Sequence, residues 1–434
     1  MTPTQMGLVG LAALLSLLAL RMPVGIAMLF VGFAGFGLTS GWAPALALVA
    51  SEPFVISSNY ELIVVPLFVL MGNLATVSGM SRDLYAAAYA WVGHWRGGLA
   101  SATIAACSGF AALSGSSVAS ALTMGQVALP EMRRYNYDPR LATGCIAAGG
   151  TLGILIPPST GFVIYAILTQ ESIGRLFLAG VFPGLLLTAL FIIAIYIQTR
   201  IKPELGPAGP KMEWSVKLKA TAQASFMIGI VVITIGGMYA GLFTPTEAAG
   251  IGAFLALLLA LFRRKLTSDS LSSVLLQSVR TTALVFLILI GAFIFSPFLA
   301  LTHISSDLIE LLTGLNLSRY MILFLIVLIY IILGMFLEGF AMLVLTIPIV
   351  HPLILTLGFD PIWFGVLIVI LLEMGLISPP VGVNVYVVKG VAEDVPMSQI
   401  FMGILPFWVA MGVGLLILVL FPQIALFLPS TMIE

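Results

Sequence analysis

Two short segments with almost the same sequence decide the fold of this chain. Residues 153–158 read GILIPP and residues 375–380 read GLISPP, so the pattern Gly-x-x-x-Pro-Pro occurs twice, 222 residues apart (153 to 375). Proline has no backbone N–H, and the carbonyl four residues before it therefore loses its helical hydrogen bond. Each pattern predicts a helix break that leaves the carbonyl oxygen of its glycine, Gly153 or Gly375, without a partner.

Other prolines repeat with the same spacing. The matching positions are Pro23 and Pro245, Pro130 and Pro352, Asp138-Pro139 and Asp360-Pro361, and, with one residue of slippage, Pro183 and Pro406. The long polar stretch at residues 200–219, RIKPELGPAGPKMEWSVKLK, divides the chain near its midpoint. The sequence therefore predicts two related halves, residues 1–199 and 220–434, joined by a cytoplasmic linker at residues 200–219.

The composition is that of an integral membrane protein. Of the 434 residues, 60% are hydrophobic and 8% are charged, whereas a soluble domain carries about 25% charged residues. This excludes a soluble enzyme. Acidic and basic residues balance at 18 each, so nothing indicates a nucleic-acid partner, and two cysteines are too few for a disulfide framework or a structural zinc site.

Apolar stretches of about 20 residues, the length of a membrane-crossing helix, predict an all-α polytopic protein with ten crossings. Their centres lie near Leu14, Gly32, Val69, Gly153, Leu190, Ile233, Leu257, Leu289, Ile377 and Leu416. Two further stretches, residues 98–132 and 319–357, are interrupted by ALSGSSVAS and GMFLEGF. We interpret each as a re-entrant hairpin of two half-length helices, and residues 141–168 and 362–388 as broken helices.

The distribution of Lys and Arg predicts the orientation of the chain. With the N-terminus outside, 16 of the 18 Lys and Arg residues fall on the cytoplasmic side and only Arg175 and Arg319 fall outside, as the positive-inside rule requires. No basic residue precedes the first apolar stretch, which favours a retained helix over a cleaved signal. Each half has five crossings, so the halves are inverted and both termini are periplasmic. Inverted repeats with broken helices are typical of secondary transporters.

The breaks and the hairpin tips predict two kinds of binding group. Half-helices that end at Gly153 and Gly375 present carbonyl oxygens and the negative end of the helix dipole, which suit a small cation. Ser116 and Ser117 begin the second helix of the first hairpin, where free N–H groups suit an anion. We therefore predict a cation-coupled importer of organic anions, with Ser116, Ser117, Ser159 and Asn384 as the candidate solute contacts.

Each of these residues also has a structural interpretation. The two glycines would equally allow close helix packing, and the serines would equally cap helices without binding a ligand. Asn384 would serve either the solute or a hydrogen bond between helices.

The acidic residues in apolar surroundings leave two roles open. Glu338 and Glu373 are functional candidates because ionisable groups at membrane depth are costly, although Glu338 has no acidic counterpart in the first half. Glu247 fits a helix start better than a binding site. Neither H-E-x-x-H, G-x-S-x-G nor a Walker motif occurs, so the chain is not expected to be an enzyme, and a membrane-embedded hydrolase using Ser117 is the remote alternative.

Several of these strings resemble one transporter family. ALSGSSVASALTMGQVALPEMRRYNYDPRLATGCIAAGGTLGILIPPS, GLFTPTEAAG and LEMGLISPPVGVNVYVV are similar to the large membrane subunit of tripartite ATP-independent periplasmic (TRAP) transporters. The resemblance implies a bacterial inner-membrane protein of the ion transporter superfamily, driven by sodium ions without another cofactor. It also implies two partners, a small four-helix membrane subunit on a separate chain and a periplasmic substrate-binding protein.

The resemblance further implies the solutes, an elevator movement and two sodium sites. The solutes would be carboxylates such as C4-dicarboxylates or sialic acid, and residues 41–58 and 266–280 would be interfacial arms or plain loops. A self-sufficient sodium/dicarboxylate carrier of the same superfamily is the alternative. The sodium ligands carried over from the family are Ser114, Gly115, Gly153, Ile156 and Pro158 for one site and Gly334, Gly375, Ser378 and Val381 for the other.

Overall fold

The computed structural model describes residues 2–314 and 317–432, and their regular elements are α-helices with two short 3-10 turns. The first half contains α1 (Pro3–Ala19), α2 (Val24–Ser40), α3 (Trp42–Ser58), α4 (Val64–Val77), α5 (Met80–Val92), α6 (Gly98–Ser114), α7 (Ser117–Arg134), α8 (Pro139–Leu155), α9 (Thr160–Thr169) and α10 (Ile173–Ile201). The second half contains α11 (Trp214–Tyr239), α12 (Pro245–Phe262), α13 (Ser268–Leu301), α14 (Ile304–Gly314), α15 (Arg319–Gly334), α16 (Gly339–Thr356), α17 (Pro361–Leu376), α18 (Val383–Val391), α19 (Met397–Leu420) and α20 (Gln423–Ser430). This confirms the all-helical fold class.

The order of helices repeats after about 222 residues. The pair α6 and α7 corresponds to α15 and α16, and the broken pair α8 and α9 corresponds to α17 and α18. The helix order therefore follows the repeat of the prolines, while the domain limits and the opposite orientation of the halves stay predictions.

Eight helical segments of the described chain are long and apolar enough to cross a membrane. The crossings expected near Leu14 and Gly32 fall on α1 and α2, which have 17 residues each and are about 25 Å long. The hairpin helices differ from the expected half-length helices. They have 16 to 18 residues, or about 24–27 Å.

The two expected arms differ from each other. Residues 42–58 form a separate helix, α3, which a 3-10 turn at Tyr60–Ile63 divides from α4. Residues 268–280 instead continue into the next crossing as the 34-residue helix α13, which is about 51 Å long. Both segments are thus helical, and the alternative that they are plain loops is wrong.

Matching aspartates start the two broken helices. Oδ1 of Asp138 accepts the N–H of Arg140 at 2.8 Å, and Oδ1 of Asp360 accepts the N–H groups of Ile362 and Trp363 at 2.8 and 3.0 Å. Proline follows each aspartate at the first helical position, where its missing N–H costs nothing.

The broken helices form the centre of the core. Every residue at positions 143–155 in α8 and 362–376 in α17 is buried. The hydroxyl of Tyr165 in α9 donates to the carbonyl of Pro361 at 2.7 Å, so the first broken pair contacts the start of the second. The break that follows α8, residues 156–159, is buried as well, which is the setting in which irregular backbone at membrane depth is tolerated.

Candidate functional site

The first break, residues 156–159, is fully buried. Helix α8 ends where the N–H of Ile156 donates to the carbonyl of Leu152 at 3.0 Å, and the next two residues are prolines without an N–H. The hydroxyl of Ser159 then caps α9 by accepting the N–H of Phe162 at 3.2 Å. Ser159 therefore has the capping role that sequence analysis left open for the serines.

The first tip, residues 114–117, packs directly against the first break. A Cβ atom added to Gly153 would lie 2.6 Å from the carbonyl oxygen of Ser116, and one added to Gly115 would lie 2.8 Å from that of Pro158. The hydroxyl of Thr160 also donates to the carbonyl of Gly115 at 3.1 Å. The structure thus brings most of the first set of predicted sodium ligands to one place, with backbone oxygens from both segments.

Gly115 needs to be glycine for its conformation as well. Its φ of +57° ends α6 in the left-handed region, which residues with a Cβ rarely adopt. Ser116 follows in an extended conformation and caps α7, because its hydroxyl accepts the N–H of Ala119 at 3.3 Å. The hydroxyl groups of Ser114 and Ser120 lie 2.8 Å apart.

At the second break, residues 377–382, the structure differs from the sequence prediction for Gly375. The carbonyl of Gly375 is not left without a partner, because it accepts the N–H of Ser378 at 3.0 Å. One extra 3-10 hydrogen bond therefore tightens the helix end before the prolines, as unsatisfied terminal carbonyls often do. The hydroxyl of Ser378 donates to the carbonyl of Met374 at 2.6 Å and accepts the indole N–H of Trp408 at 3.0 Å.

Helices α15 and α17 meet at two glycines, just before the second tip, residues 335–338, and the second break. A Cβ atom added to Gly375 would lie 2.7 Å from both Cα and the carbonyl oxygen of Gly334, so the two backbones touch. At the second break, Ser378 is buried, whereas Val381 is 39% exposed. Glu338 caps α16, with Oε2 accepting the N–H of Ala341 at 3.2 Å, which is the structural role considered for it.

One hydrogen bond joins the first tip to the second broken helix. The hydroxyl of Ser117 donates to Oε1 of Glu373 at 2.5 Å, and Glu373 is 1% exposed with no partner for Oε2 within the described residues. Sequence analysis singled out both residues but could not pair them. Asn384 is fully buried, and neither of its polar side-chain atoms has a hydrogen-bond partner within residues 2–314 and 317–432.

A narrow cavity of about 100 Å³, here called the central cavity, lies beside the first tip. It is lined by this tip, α4 and α13, and Phe340 of α16 lines it as well. The polar residues that line it are Asn73, Thr76, Ser114, Ser116, Thr160, Gln277 and Thr281. Of the four predicted solute contacts, Ser116 lines the cavity, while Ser117, Ser159 and Asn384 do not.

The cavity residues on α4 and α13 are not among those predicted from the sequence. Asn73 and Thr76, like Gln277 and Thr281, lie three or four residues apart and so share one face of their helix. Polar residues on otherwise apolar crossing helices were the available signal. Asn73 donates from Nδ2 to the hydroxyl of Ser278 at 2.8 Å, which fixes α4 against α13 at the cavity.

Other predicted roles are also resolved. Thr244 and Glu247 form a reciprocal cap at the start of α12: the N–H of Thr244 donates to Oε2 of Glu247 at 2.9 Å, and the N–H of Glu247 donates to the hydroxyl of Thr244 at 3.3 Å. This confirms Glu247 as a helix-start residue. Within the described residues, no cluster of three or more His, Cys, Asp or Glu residues suits a metal ion.

Comparison with known proteins agrees with this architecture. Residues 11–424 match the family described as "Tripartite ATP-independent periplasmic transporter, DctM component". The chain is 38% identical to the C4-dicarboxylate TRAP transporter large permease protein DctM of Pseudomonas aeruginosa, over 88% of this chain and 89% of that protein. It is 34% identical to the sialic acid TRAP transporter large permease protein SiaM of Vibrio cholerae, over 96% of both chains.

Solved structures share the fold at low sequence identity. The YdaH transporter of Alcanivorax borkumensis superposes with a TM-score of 0.65 at 13% identity, covering 90% of this chain and 88% of that one. MtrF of Neisseria gonorrhoeae gives a TM-score of 0.56, also at 13% identity, covering 91% and 85%. The family match and the named relatives are transporter permeases and not enzymes, which removes the hydrolase alternative. The chain belongs to the DctM family, the large permease component of TRAP transporters.

Proposed function

We propose that this chain is the permease through which a sodium gradient drives import of an organic anion across the bacterial inner membrane. The observation that carries the proposal is the meeting of the first tip, the first break and the polar central cavity in one place. Relatives are named for C4-dicarboxylates and for sialic acid, which are carboxylates. A C4-dicarboxylate is the first solute to test, because the relative with 38% identity carries that name.

The proposed sodium sites use neutral oxygens. The first is formed by Ser114, Gly115, Gly153, Ile156 and Pro158, and the second by Gly334, Gly375, Ser378 and Val381. Support comes from the close backbone contacts of Gly153 with Ser116 and of Gly375 with Gly334, which bring carbonyl oxygens from a tip and a break together. Oxygen ligands suit hard cations, and a carbonyl that accepts one hydrogen bond keeps a second lone pair.

The proposed anion site is the central cavity at the start of α7. The helix N-terminus contributes N–H groups and the positive end of its dipole, and Ser116 contributes a hydroxyl. Asn73, Gln277 and Thr281 would complete the contacts from the opposite helices. Ser117 is engaged with Glu373, so we assign it a positioning role.

We also propose that the hairpins and broken helices move together as an elevator. The central cavity supports this, since one of its walls is the first tip and the opposite wall is α4 and α13. A solute held there would travel with the hairpin side while α4 and α13 stay fixed. Disulfides between cysteines introduced at positions on the two walls would then stop transport, and unchanged uptake after cross-linking would contradict the movement.

The membrane potential limits the coupling. Moving one charge across 100 mV is worth about 2.3 kcal/mol, so two sodium ions with a dianion are electrically neutral, and a monoanion with two sodium ions gains from the potential. Electrogenic uptake of a dianion would require about three or more sodium ions per solute, because two only balance its charge.

Uptake in proteoliposomes tests the proposal. The chain would be reconstituted with the small membrane subunit and the periplasmic binding protein that we propose as its partners, and labelled succinate, malate and sialic acid would be offered with an inward sodium gradient. We expect uptake of a carboxylate that stops when choline replaces sodium. Uptake without sodium, or of none of these carboxylates, would contradict the proposal, and uptake by this chain alone would favour the self-sufficient carrier.

A further inference from the structure

A second, larger cavity, here called the vestibule, begins where the central cavity ends. Its volume is about 660 Å³, and it is lined by the end of α4, the start of α5, one face of α7 and the residues that follow α12. Thr76 lines both cavities. The two cavities therefore adjoin at Thr76.

Two helices line the whole route with a continuous face. On α7, Ala119 lines the central cavity, and Thr123 and Gln126 line the vestibule. These positions are three or four residues apart, so they share one side of the helix. The end of α4 passes from Asn73 through Thr76 in the same way. The route is thus a cleft between α4 and α7 with a hydroxyl or amide at nearly every turn.

The vestibule carries an excess of positive charge. Arg82, Arg263 and Lys265 line it together with a single carboxylate, Asp83. All three cations belong to the side that the positive-inside rule assigns to the cytoplasm. Their excess over Asp83 is two charges, which is the charge of a dicarboxylate.

The cations have different roles. Arg263 is anchored: its guanidinium forms an ion pair with Asp83 and donates to the carbonyls of Ser78 and Gln223 at 3.3 and 3.4 Å. Arg82 and Lys265 are exposed and have no ion-pair partner within the described residues. They remain available for an anion that enters the vestibule.

We propose that the vestibule is the cytoplasmic release site, where Arg82 and Lys265 bind the carboxylates of the organic anion after it passes Thr76. This rests on the proposed function, because it takes the transported solute to be an organic anion. Lipid phosphate groups share this chemistry with the solute, and the test distinguishes them.

Charge-selective labelling from the cytoplasmic side tests the site without transport. Gln126→Cys would be introduced into the full chain, whose two native cysteines, Cys107 and Cys145, are fully buried. Inverted membrane vesicles would be treated with the anionic reagent sulfonatoethyl methanethiosulfonate or the cationic trimethylammonioethyl analogue. We expect the anionic reagent to react faster, and succinate to protect the cysteine.

Paired charge variants supply the controls. Arg82→Gln with Lys265→Gln should lower the anionic-to-cationic rate ratio about threefold, as expected for two charges roughly one Debye length away. Arg134→Gln with Lys211→Gln removes two exposed cations that do not line the vestibule and should leave the ratio unchanged. Arg82→Lys with Lys265→Arg keeps both charges and should keep the ratio.

Three results would overturn the proposal. They are a cysteine at position 126 that is inaccessible from the cytoplasmic side, a rate ratio that the Arg82 and Lys265 changes do not alter, and a lack of protection by succinate. If added phosphatidylglycerol abolished the faster reaction of the anionic reagent and succinate gave no protection, the site would bind lipid phosphate groups and not the solute. In the uptake assay above, failure of the unchanged chain refutes the proposed function, whereas normal uptake by the Arg82→Gln, Lys265→Gln chain refutes only the release site.

Discussion

The first and second tips occupy the same place in the two halves but differ in their surroundings. The first break is buried and the first tip is buried or half-buried; both have hydroxyl side chains, and the tip lines the central cavity. At the second tip Phe336 is 65% exposed, and residues 379–381 of the second break are exposed as well. The two tips therefore share a backbone arrangement but carry different side chains. Under the proposed function, the solute would therefore contact the first tip and not the second.

The glycines at the breaks should give the largest effect, and an equal one in both halves. Gly153→Ala and Gly375→Ala each place a Cβ within 2.7 Å of backbone atoms, which cannot move aside as a flexible side chain would. We expect each to cost about 1–3 kcal/mol of stability and most of the sodium-dependent uptake. Thermal unfolding in detergent and proteoliposome uptake measure the two effects.

Two other helical glycines are the controls for this prediction. A Cβ at Gly229 or Gly412 would have no atom within 4 Å, so alanine there should leave both unfolding and uptake unchanged. Tolerance of alanine at position 375 but not at 153 would mean that only the first break is a closely packed site.

The central cavity should matter for uptake far more than the second tip does. Gln277→Leu removes an amide that lines the cavity, and an unpaired polar group of the solute costs about 1–3 kcal/mol, so uptake should fall about tenfold. Phe336→Leu, at the exposed second tip, should change uptake little. Equal losses in initial uptake rate would show that the solute contacts both tips.

The hydrogen bond between Ser117 and Glu373 should make the first tip more sensitive to truncation. Ser117→Ala leaves the buried carboxylate of Glu373 without its partner and should cost about 1–3 kcal/mol. Glu338→Ala removes only a helix cap at the second tip and should cost about 1 kcal/mol. Thermal unfolding of the purified variants compares their stabilities. A larger loss of stability for Glu338→Ala than for Ser117→Ala would contradict this prediction.

The smallest effects should come from single hydrogen bonds at the breaks. Thr160→Val removes the donor to the carbonyl of Gly115 at the first break, and Trp408→Phe removes the donor to Ser378 at the second. Each should cost about 0.5–1.5 kcal/mol. Thermal unfolding should show a smaller loss of stability for both variants than for Ser117→Ala. A larger loss for either variant would mean that its hydrogen bond at the break contributes more stability than the bond between Ser117 and Glu373.

The sequence predicts those features that depend on local chemistry. Proline and the Asp-Pro caps act within four residues of their own positions, so both breaks and the helices around them were predictable from the repeat. The fate of the Gly375 carbonyl was not, because the sequence alone does not show that Ser378 turns back to it. The pairing of Ser117 with Glu373, and the contact of α4 with α13 through Asn73 and Ser278, depend on packing between residues more than 200 positions apart.

The arms show the same limit. Residues 41–58 and 266–280 occupy corresponding places in the repeat, yet one is a separate helix and the other is part of α13. Asn59, whose side chain caps the 3-10 turn by accepting the N–H of Glu61 at 2.9 Å, marks the division in the first half. The corresponding region of the second half has no such division, so α13 continues through it.

Binding of radioactive sodium to the purified chain tests the central claim most directly, because it requires neither solute nor partner. We predict saturable binding of two sodium ions that potassium does not displace, with Ser114→Ala weakening the binding of one ion and Ser378→Ala that of the other. Absence of saturable binding, or the same binding in the doubly substituted chain as in the unchanged one, would contradict it.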